Sequence, residues 1–467
     1  MEGGALYLNR IFTLWVTGVY RLLLNFNLLF AITLVVSPFS FSVAAADQGI
    51  KEDNNHSITK RVDVEPLFFL STQMTPIQEA DTMRRVILKD FPGKVDFQPY
   101  DTPSVFEKLA LAKGESKIKP DLLGVLHGDM RHLKQKGGLS PIDASSLLSK
   151  RHFIPDFVKL GKLESEQQFY IPWMQATYIM AANRKALPYL PKGAKLDRLT
   201  YQQLQEWAQN MERAAGMPKL GFPAGPKGLM HRFFQGYLYP SFTGSTLSQF
   251  RSPEAVTMWS NFSELWSHVN PSSLTYNNMD ESLLTDEVWV AWDHTARLIS
   301  AFEQRPDDFV AFPAPIGPKG QGYMLVLAGL ALSNGVQDTS QALELIDYLT
   351  RPDVQITVLK NLGFFPVVDT KDQDDDLPAG FISIQRAVLK QATSKNNRVA
   401  LLPVGLGDEG NRFNLAYKRA FSQIVLRKRD IADVLDRQAN VLRNIIKVTQ
   451  ASCWLPDPSS NGPCPVK

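Results

Sequence analysis

Cysteine is nearly absent from this 467-residue chain: there are two, Cys453 and Cys464, both near its C-terminal end. No second cysteine pair and no suitably spaced histidine accompanies them, so neither a zinc site nor any other bound metal is expected. The G-x-S-x-G elbow and the H-E-x-x-H helix of hydrolases are also missing. An excess of charge of one sign is missing as well. Lys and Arg number 50 against 47 Asp and Glu, a formal net charge of +3. That balance gives no reason to expect a nucleic-acid partner, which calls for a concentrated basic patch. There is no internal repeat, no long low-complexity tract and no cofactor motif. The length implies two or three folded units.

Long hydrophobic runs are confined to the start. Arg10 and Arg21 precede "LLLNFNLLFAITLVV", and "SVAAAD" follows. A basic flank, an apolar core and small residues at Ala44 and Ala46 read as a secretory signal, residues 1–46, cut before Asp47. The apolar "IFTLWVTGVY" leaves an uncleaved anchor as the alternative. No cysteine follows the apolar core, so a lipid-anchored start is not expected. Residues 47–60 are polar and expected to be disordered. Export to the periplasm would permit a disulfide between Cys453 and Cys464 in "CWLPDPSSNGPCP". Such a bridge would close a small loop in a tail, residues 451–467, and is expected to add little to stability. The alternative is two unpaired thiols in a loose tail.

Between these ends the chain alternates strand and helix. "VEPLFFLST", "KVDFQPY" and "KPDLLGVL" read as strands, separated by the helical patterns "PIQEADTMRRVILKDFP" and "DTPSVFEKLALAKG". That order predicts parallel βαβ units with helices on both sheet faces. "QQFYIPWMQATYIMAANRKAL" reads as a strand that breaks near Pro172 and resumes, a segment suited to crossing between lobes. Thr200 and Gln203 form a capping-box pattern, and Pro253 opens a further helix. "EVWVAW" predicts a strand and "DHTARLISAFEQ" a helix. "DQDDD" reads as a solvated loop, and residues 428–449 as a last amphipathic helix.

Several of these stretches, in this order, resemble the periplasmic solute-binding proteins of sugar-type ABC importers, the maltodextrin-binding group. They are "KPDLLGVLHGDMRHLKQKGGLSPID", "YIPWMQATYIMAANRKAL", "LTYQQLQEWAQNM", "FPAPIGPKGQGYMLVLAGLALS" and "GFFPVV". The resemblance covers most of residues 62–449. It implies an α/β fold of two lobes with several hinge crossings. The lobes would be residues 61–172 with 323–366, and 173–322 with 367–450. It further implies a small-molecule ligand in the cleft, delivery to a membrane permease, and no catalysis. The chain is expected to act as a monomer. Ala291-Trp292 stands where the family usually has a small residue and Met, which puts the ligand class in question.

Ligands in such sheets sit beyond the carboxyl ends of strands, near helix N-termini. That rule selects Ser71, Thr72 and Gln73 after the first strand, and Leu126, His127, Gly128 and Asp129 after the third. Helix capping and turn formation are the alternative roles for these residues. Trp173 and Gln175 mark the crossover, as a stacking face and an amide, or else as packing between lobes. Tyr323 would line the cleft or support the hinge. His231 and Arg232 are weaker candidates. In "VWVAWDHTARLI", Trp292 is a stacking platform, and Asp293 and Arg297 are hydrogen-bonding partners to a ligand. Asp293 would also serve as N-cap to Ala296 and pair with Arg297. The ligand would be a sugar or polyol. The alternatives are an anionic sugar derivative, a secreted hydrolase acting on a carbohydrate, and a sensing rather than importing role.

Overall fold

The structure, a computed structural model, describes residues 65–111, 119–336, 338–370 and 377–467. The expected export signal, the polar segment 47–60 and all of "DQDDD" lie outside the described residues.

Three short strands, β1 (Leu67–Ser71), β2 (Val95–Pro99) and β3 (Leu122–Leu126), pair in parallel in the order β3-β1-β2. Helical segments 77–87 and Thr102–Leu111 return the chain between them, as the alternating pattern predicts. Asp101 accepts from the Ser104 N–H and so caps the second helix. Two long-range pairings then add β4 (Leu139–Ser140) and β5 (Ile171–Ala176) to the same sheet. Their common partner is a long strand far on in the sequence.

Thr177 is the point of passage to a second sheet. β5 ends before it and β6 (Tyr178–Asn183) begins after it, and the two strands belong to different sheets. Thr177 is fully buried. Its hydroxyl donates to the Met324 carbonyl at 2.7 Å, and its own carbonyl accepts from the Thr295 N–H at 2.9 Å. A buried polar group has to be satisfied within the protein, so this junction is fixed on both sides.

The second sheet has the order β7-β8-β6-β9, with β7 (Leu220–Gly221), β8 (Val290–His294) and β9 (Phe309–Phe312). β10 (Ile316–Gly317) then turns into β11 (Gly320–Ser333), which threads back through the first sheet. The first half of β11 pairs with β12 (Asn397–Leu401), the second half with β3, β4 and β5. The capping box forms, with Thr200 and Gln203 bonded reciprocally at 3.1 and 3.0 Å. Phe69, Leu123, Trp207 and Leu442 are among the apolar residues buried in the larger core, and Ile179, Phe302 and Ile384 sit in a smaller one. No helix among the described residues is long and apolar enough to cross a membrane.

Two sequence expectations need correction. The strand expected to stop at Trp292 continues through Asp293 to His294, because β6 supplies ladder partners that far, Ile179 for Asp293 and Tyr178 for His294. Asp293 is therefore not the N-cap of helix Thr295–Gln304. His294 is, its Nδ1 accepting from the Ala296 N–H at 3.3 Å. In the C-terminal tail the expected disulfide is present, and the alternative of a loose tail is excluded. Cys453 and Cys464 form the disulfide, both are buried, and Trp454 packs on Phe413.

Candidate functional site

Side chains after β1 and β3 meet at the carboxyl end of the first sheet. Ser71 is buried, donates to the Gly124 carbonyl at 2.8 Å, and accepts from the Gln73 N–H. It ties β1 to β3 and presents no surface. Gln73 donates to the Thr72 hydroxyl at 2.9 Å, and both are half-buried. His127 begins helix His127–Gln135, and its Nδ1 lies 2.8 Å from the Tyr170 hydroxyl. Tyr170 can lie there because residue 329 is glycine. A Cβ on Gly329 would sit 2.2 Å from its ring.

Asp129, in the first turn of the same helix, faces a cavity of about 1240 Å³ with Gly128 and Leu126. No protein group is bonded to the Asp129 carboxyl among the described residues, and burial raises its pKa to about 6. Burial also lowers the His127 pKa to about 4, helped by Arg131. Asp129 does not cap its helix, whose N-cap is Leu126.

The crossover residues have other work. Trp173 is fully buried and packs on Phe69 at 5.6 Å, so it offers no face for a ligand and belongs to the core. Gln175 and Tyr323 are buried and bonded to each other, Tyr323 Oη to Gln175 Oε1 at 3.3 Å. Gln175 also donates to the Pro366 carbonyl and exchanges backbone bonds with Phe365. These two hold chain crossings together and lie outside the cavity lining. In this conformation Trp173 and Tyr323 take the alternative roles expected of them, packing and support of the crossing, and Gln175 is held by the same crossing.

In the second sheet, strand alternation decides the directions. Tyr178, Trp292 and His294 share one face. Tyr178 stacks on Trp292 with centroids 4.8 Å apart and planes at 8°, and meets His294 edge-on at 5.0 Å. Phe233 and Tyr237 close on Trp292 from other sides. The indole is wholly covered, so Trp292 is not a ligand platform in this conformation: Tyr178 occupies its face. Asp293 points to the opposite face, where it accepts from the Met279 N–H at 2.9 Å and the His294 N–H at 2.7 Å. Asp293 and His294 lie on opposite faces and cannot share a proton. Arg297 donates to the Asn277 carbonyl, not to Asp293, and acts on Asp293 only through space.

Burial raises the Asp293 pKa to about 7, against the opposing pull of Arg297 and two backbone N–H groups. The unfolded carboxyl titrates near 3.8. Between those values the folded state holds a proton that the unfolded state releases, so its contribution to stability is present below about pH 4 and lost as pH rises through 7. Asp293→Asn removes that loss. The expected result is a Tm change, relative to the parent, that is more favourable at pH 8 than at pH 4.5. Thermal melts at the two values check it.

Several residues that sequence reasoning missed or ranked low complete the site. Arg232 lines the same cavity and donates to Gln235 Oε1 at 2.9 Å. Gln235 donates on to Asn414 Oδ1 at 3.1 Å, and Asn414 also lines the cavity. Helix Gly410–Phe421 carries Asn414 and was not anticipated. Its buried Phe413, Ala416, Tyr417 and Ala420 stand at helical spacing, a signal the sequence did contain.

A family model for bacterial extracellular solute-binding proteins matches residues 76–356. Among solved structures, UgpB from Mycobacterium tuberculosis in complex with glycerophosphocholine is 19% identical, with a TM-score of 0.63, covering 82% of this chain and 99% of that one. MalE from the phytopathogen Xanthomonas citri is 14% identical, with a TM-score of 0.64, covering 82% and 98%. Maltose-bound MalE3 from T. maritima is 16% identical, with a TM-score of 0.62, covering 82% and 99%. At these identities the likeness establishes the two-lobed fold. No curated protein matches the chain.

Proposed function

The chain belongs to the bacterial extracellular solute-binding proteins, and from that premise we propose that it captures a sugar or polyol in the cavity lined by Asp129, Arg232 and Asn414. It hands the solute to the membrane permease of an ABC importer and does not turn it over. Residues 1–46 serve as its export signal, and the exported chain acts as a monomer. Closure turns on the crossings at Thr177 and at Gln175–Phe365, and solute raises the population of the closed form. The ligand names of the distant structures, maltose and glycerophosphocholine, are both hydroxylated compounds, which agrees with this reading.

The observation that carries the proposal is Asp129. A half-buried carboxylate facing a cavity of about 1240 Å³, with no bond from any of the described residues, is an acceptor waiting for a hydroxyl. A hydrogen bond to a charged group is worth about 1.5–3 kcal/mol. Asp129→Ala is therefore expected to weaken solute binding about tenfold or more, with the thermal melt of the unliganded chain little changed. Affinity of the parent is also expected to fall below about pH 6, as the carboxylate takes up a proton. Calorimetric titration at pH 5 and 7.5 checks both. Full affinity in Asp129→Ala would remove Asp129 from the site.

A further inference from the structure

The cavity lining brings together charges of both signs: Asp129 with Lys119 and Lys136 on one side, and Arg232 with Asn414 on the other. The second side belongs to a cluster of three cations. Arg232 lies beside the Tyr178 hydroxyl. Lys418 stands one helical turn beyond Asn414, near enough to Arg232 that the guanidinium, after burial, lowers its pKa. Arg297 acts through space on the same Tyr178 and on His231. None of the three forms an ion pair among the described residues.

The compensating acids are few. Asp293 points to the other face of its sheet, toward Met279. Asp408, on the cavity rim, is exposed. His231 is buried, its Nδ1 has no partner among the described residues, and burial together with Arg232, Lys418 and Arg297 lowers its pKa to about 2. It is held neutral and adds no charge.

A guanidinium drawn from water without a counter-charge, as at Arg232, is costly to hold, whereas Arg297 has Asp293 acting on it through space. The guanidinium is not wasted on the fold: the Arg232–Gln235–Asn414 chain aims it and holds it in place. Its planar donors suit an oxyanion, to which such bonds are short and strong.

We infer that the solute carries an oxyanion, a carboxylate or a phosphoryl group, and that this end binds at Arg232 with Lys418 behind it while its hydroxyls face Asp129. The ligand class is then a sugar acid or a sugar phosphate. This rests on the solute-binding reading above, and it makes Arg232 the residue that sets charge selectivity.

The test is titration calorimetry of the full exported chain against matched sets: neutral mono- and disaccharides, the corresponding uronic acids, and the corresponding sugar phosphates. The expected result is that one charged set binds about tenfold or more tightly than its neutral parent, with affinity falling as salt is raised. Which charged set wins separates carboxylate from phosphoryl. Arg232→Gln is expected to abolish the preference and Arg232→Lys to restore part of it. Arg232→Gln should melt no lower than the parent, since the change removes an uncompensated charge. If neutral sugars bind and Arg232→Gln leaves their affinity unchanged, the anion site is overturned and the solute-binding reading stands. If no sugar of any set binds, both fall.

Discussion

Replacing Asp457 with alanine is expected to destabilise the folded chain by roughly 3–5 kcal/mol. Asp457 lies in the disulfide-closed loop of the tail, yet its carboxylate is buried and accepts from Ser245 Oγ and from the backbone N–H groups of Thr246, Leu247 and Ser248. Without it three main-chain donors lose the only acceptor they have among the described residues. Each buried unsatisfied donor costs about 1–3 kcal/mol, and water entering the gap recovers part of that. The damage would spread, because the segment it holds leads to Phe250, which stacks on Tyr239 and meets Tyr417 edge-on. Asp457→Asn retains one acceptor oxygen and should lose less. The disulfide itself spans a separation of 11 residues, for which the chain-entropy model gives about 2–3 kcal/mol. Urea denaturation of Asp457→Ala and of Cys453→Ser/Cys464→Ser, side by side, gives the comparison. A tail that can be altered at Asp457 without loss would show that these bonds do not form in solution.

Trp292→Ala is expected to cost about 3–5 kcal/mol, the range for deleting a large buried ring. The indole has no exposure, a parallel stack with Tyr178 and edge contacts with Phe233 and Tyr237. Stacked and edge-on pairs add about 0.5–1.5 kcal/mol each beyond the area they bury. Trp292→Phe keeps the stack and should stay folded, with solute affinity within about threefold of the parent. That variant separates two roles. A well-folded Trp292→Phe that binds no solute would make the indole a ligand platform after all, reached by a conformation other than this one.

The fold was largely legible because local rules and tertiary structure agree. The apolar runs at 67–71 and 122–126, the capping box at Thr200 and the Pro253 start all became the elements they predict. Residues 377–421 were not read. Their helices and β12 are amphipathic without strong caps, and β12 is defined by pairing with β11, some 75 residues earlier. The site was legible in outline only. The rule about carboxyl ends of strands and helix starts pointed to Asp129 and Arg232, both of which line the cavity. It could not tell a residue that faces a cavity from one that faces a neighbour. Trp173, Gln175, Trp292 and Tyr323 all belong to suitable segments, and each is buried by a partner distant in sequence, such as Phe69 for Trp173 or Pro366 for Gln175.

The disulfide of the tail was legible, but its burial was not, for a related reason. Pro, Ser, Asn and Gly in "CWLPDPSSNGPCP" give the composition of a loose loop, and nothing local marks Asp457 as buried. Its partners stand more than 200 residues earlier. At "VWVAWDHTARLI" the change was a matter of two residues. One more step of ladder moved Asp293 from a helix cap to the back of a strand. With that step the apparent grouping of acid, base and cation came apart.

The central claim is that the chain binds a hydroxylated solute in the cavity and leaves it intact. The most direct measurement is calorimetric titration of the purified chain with a panel of sugars, sugar alcohols and sugar acids, followed by NMR of the recovered solute. The account predicts saturable binding of one solute per chain for at least one member, with that solute recovered unchanged. A solute recovered cleaved, or no binding across the whole panel, would contradict it.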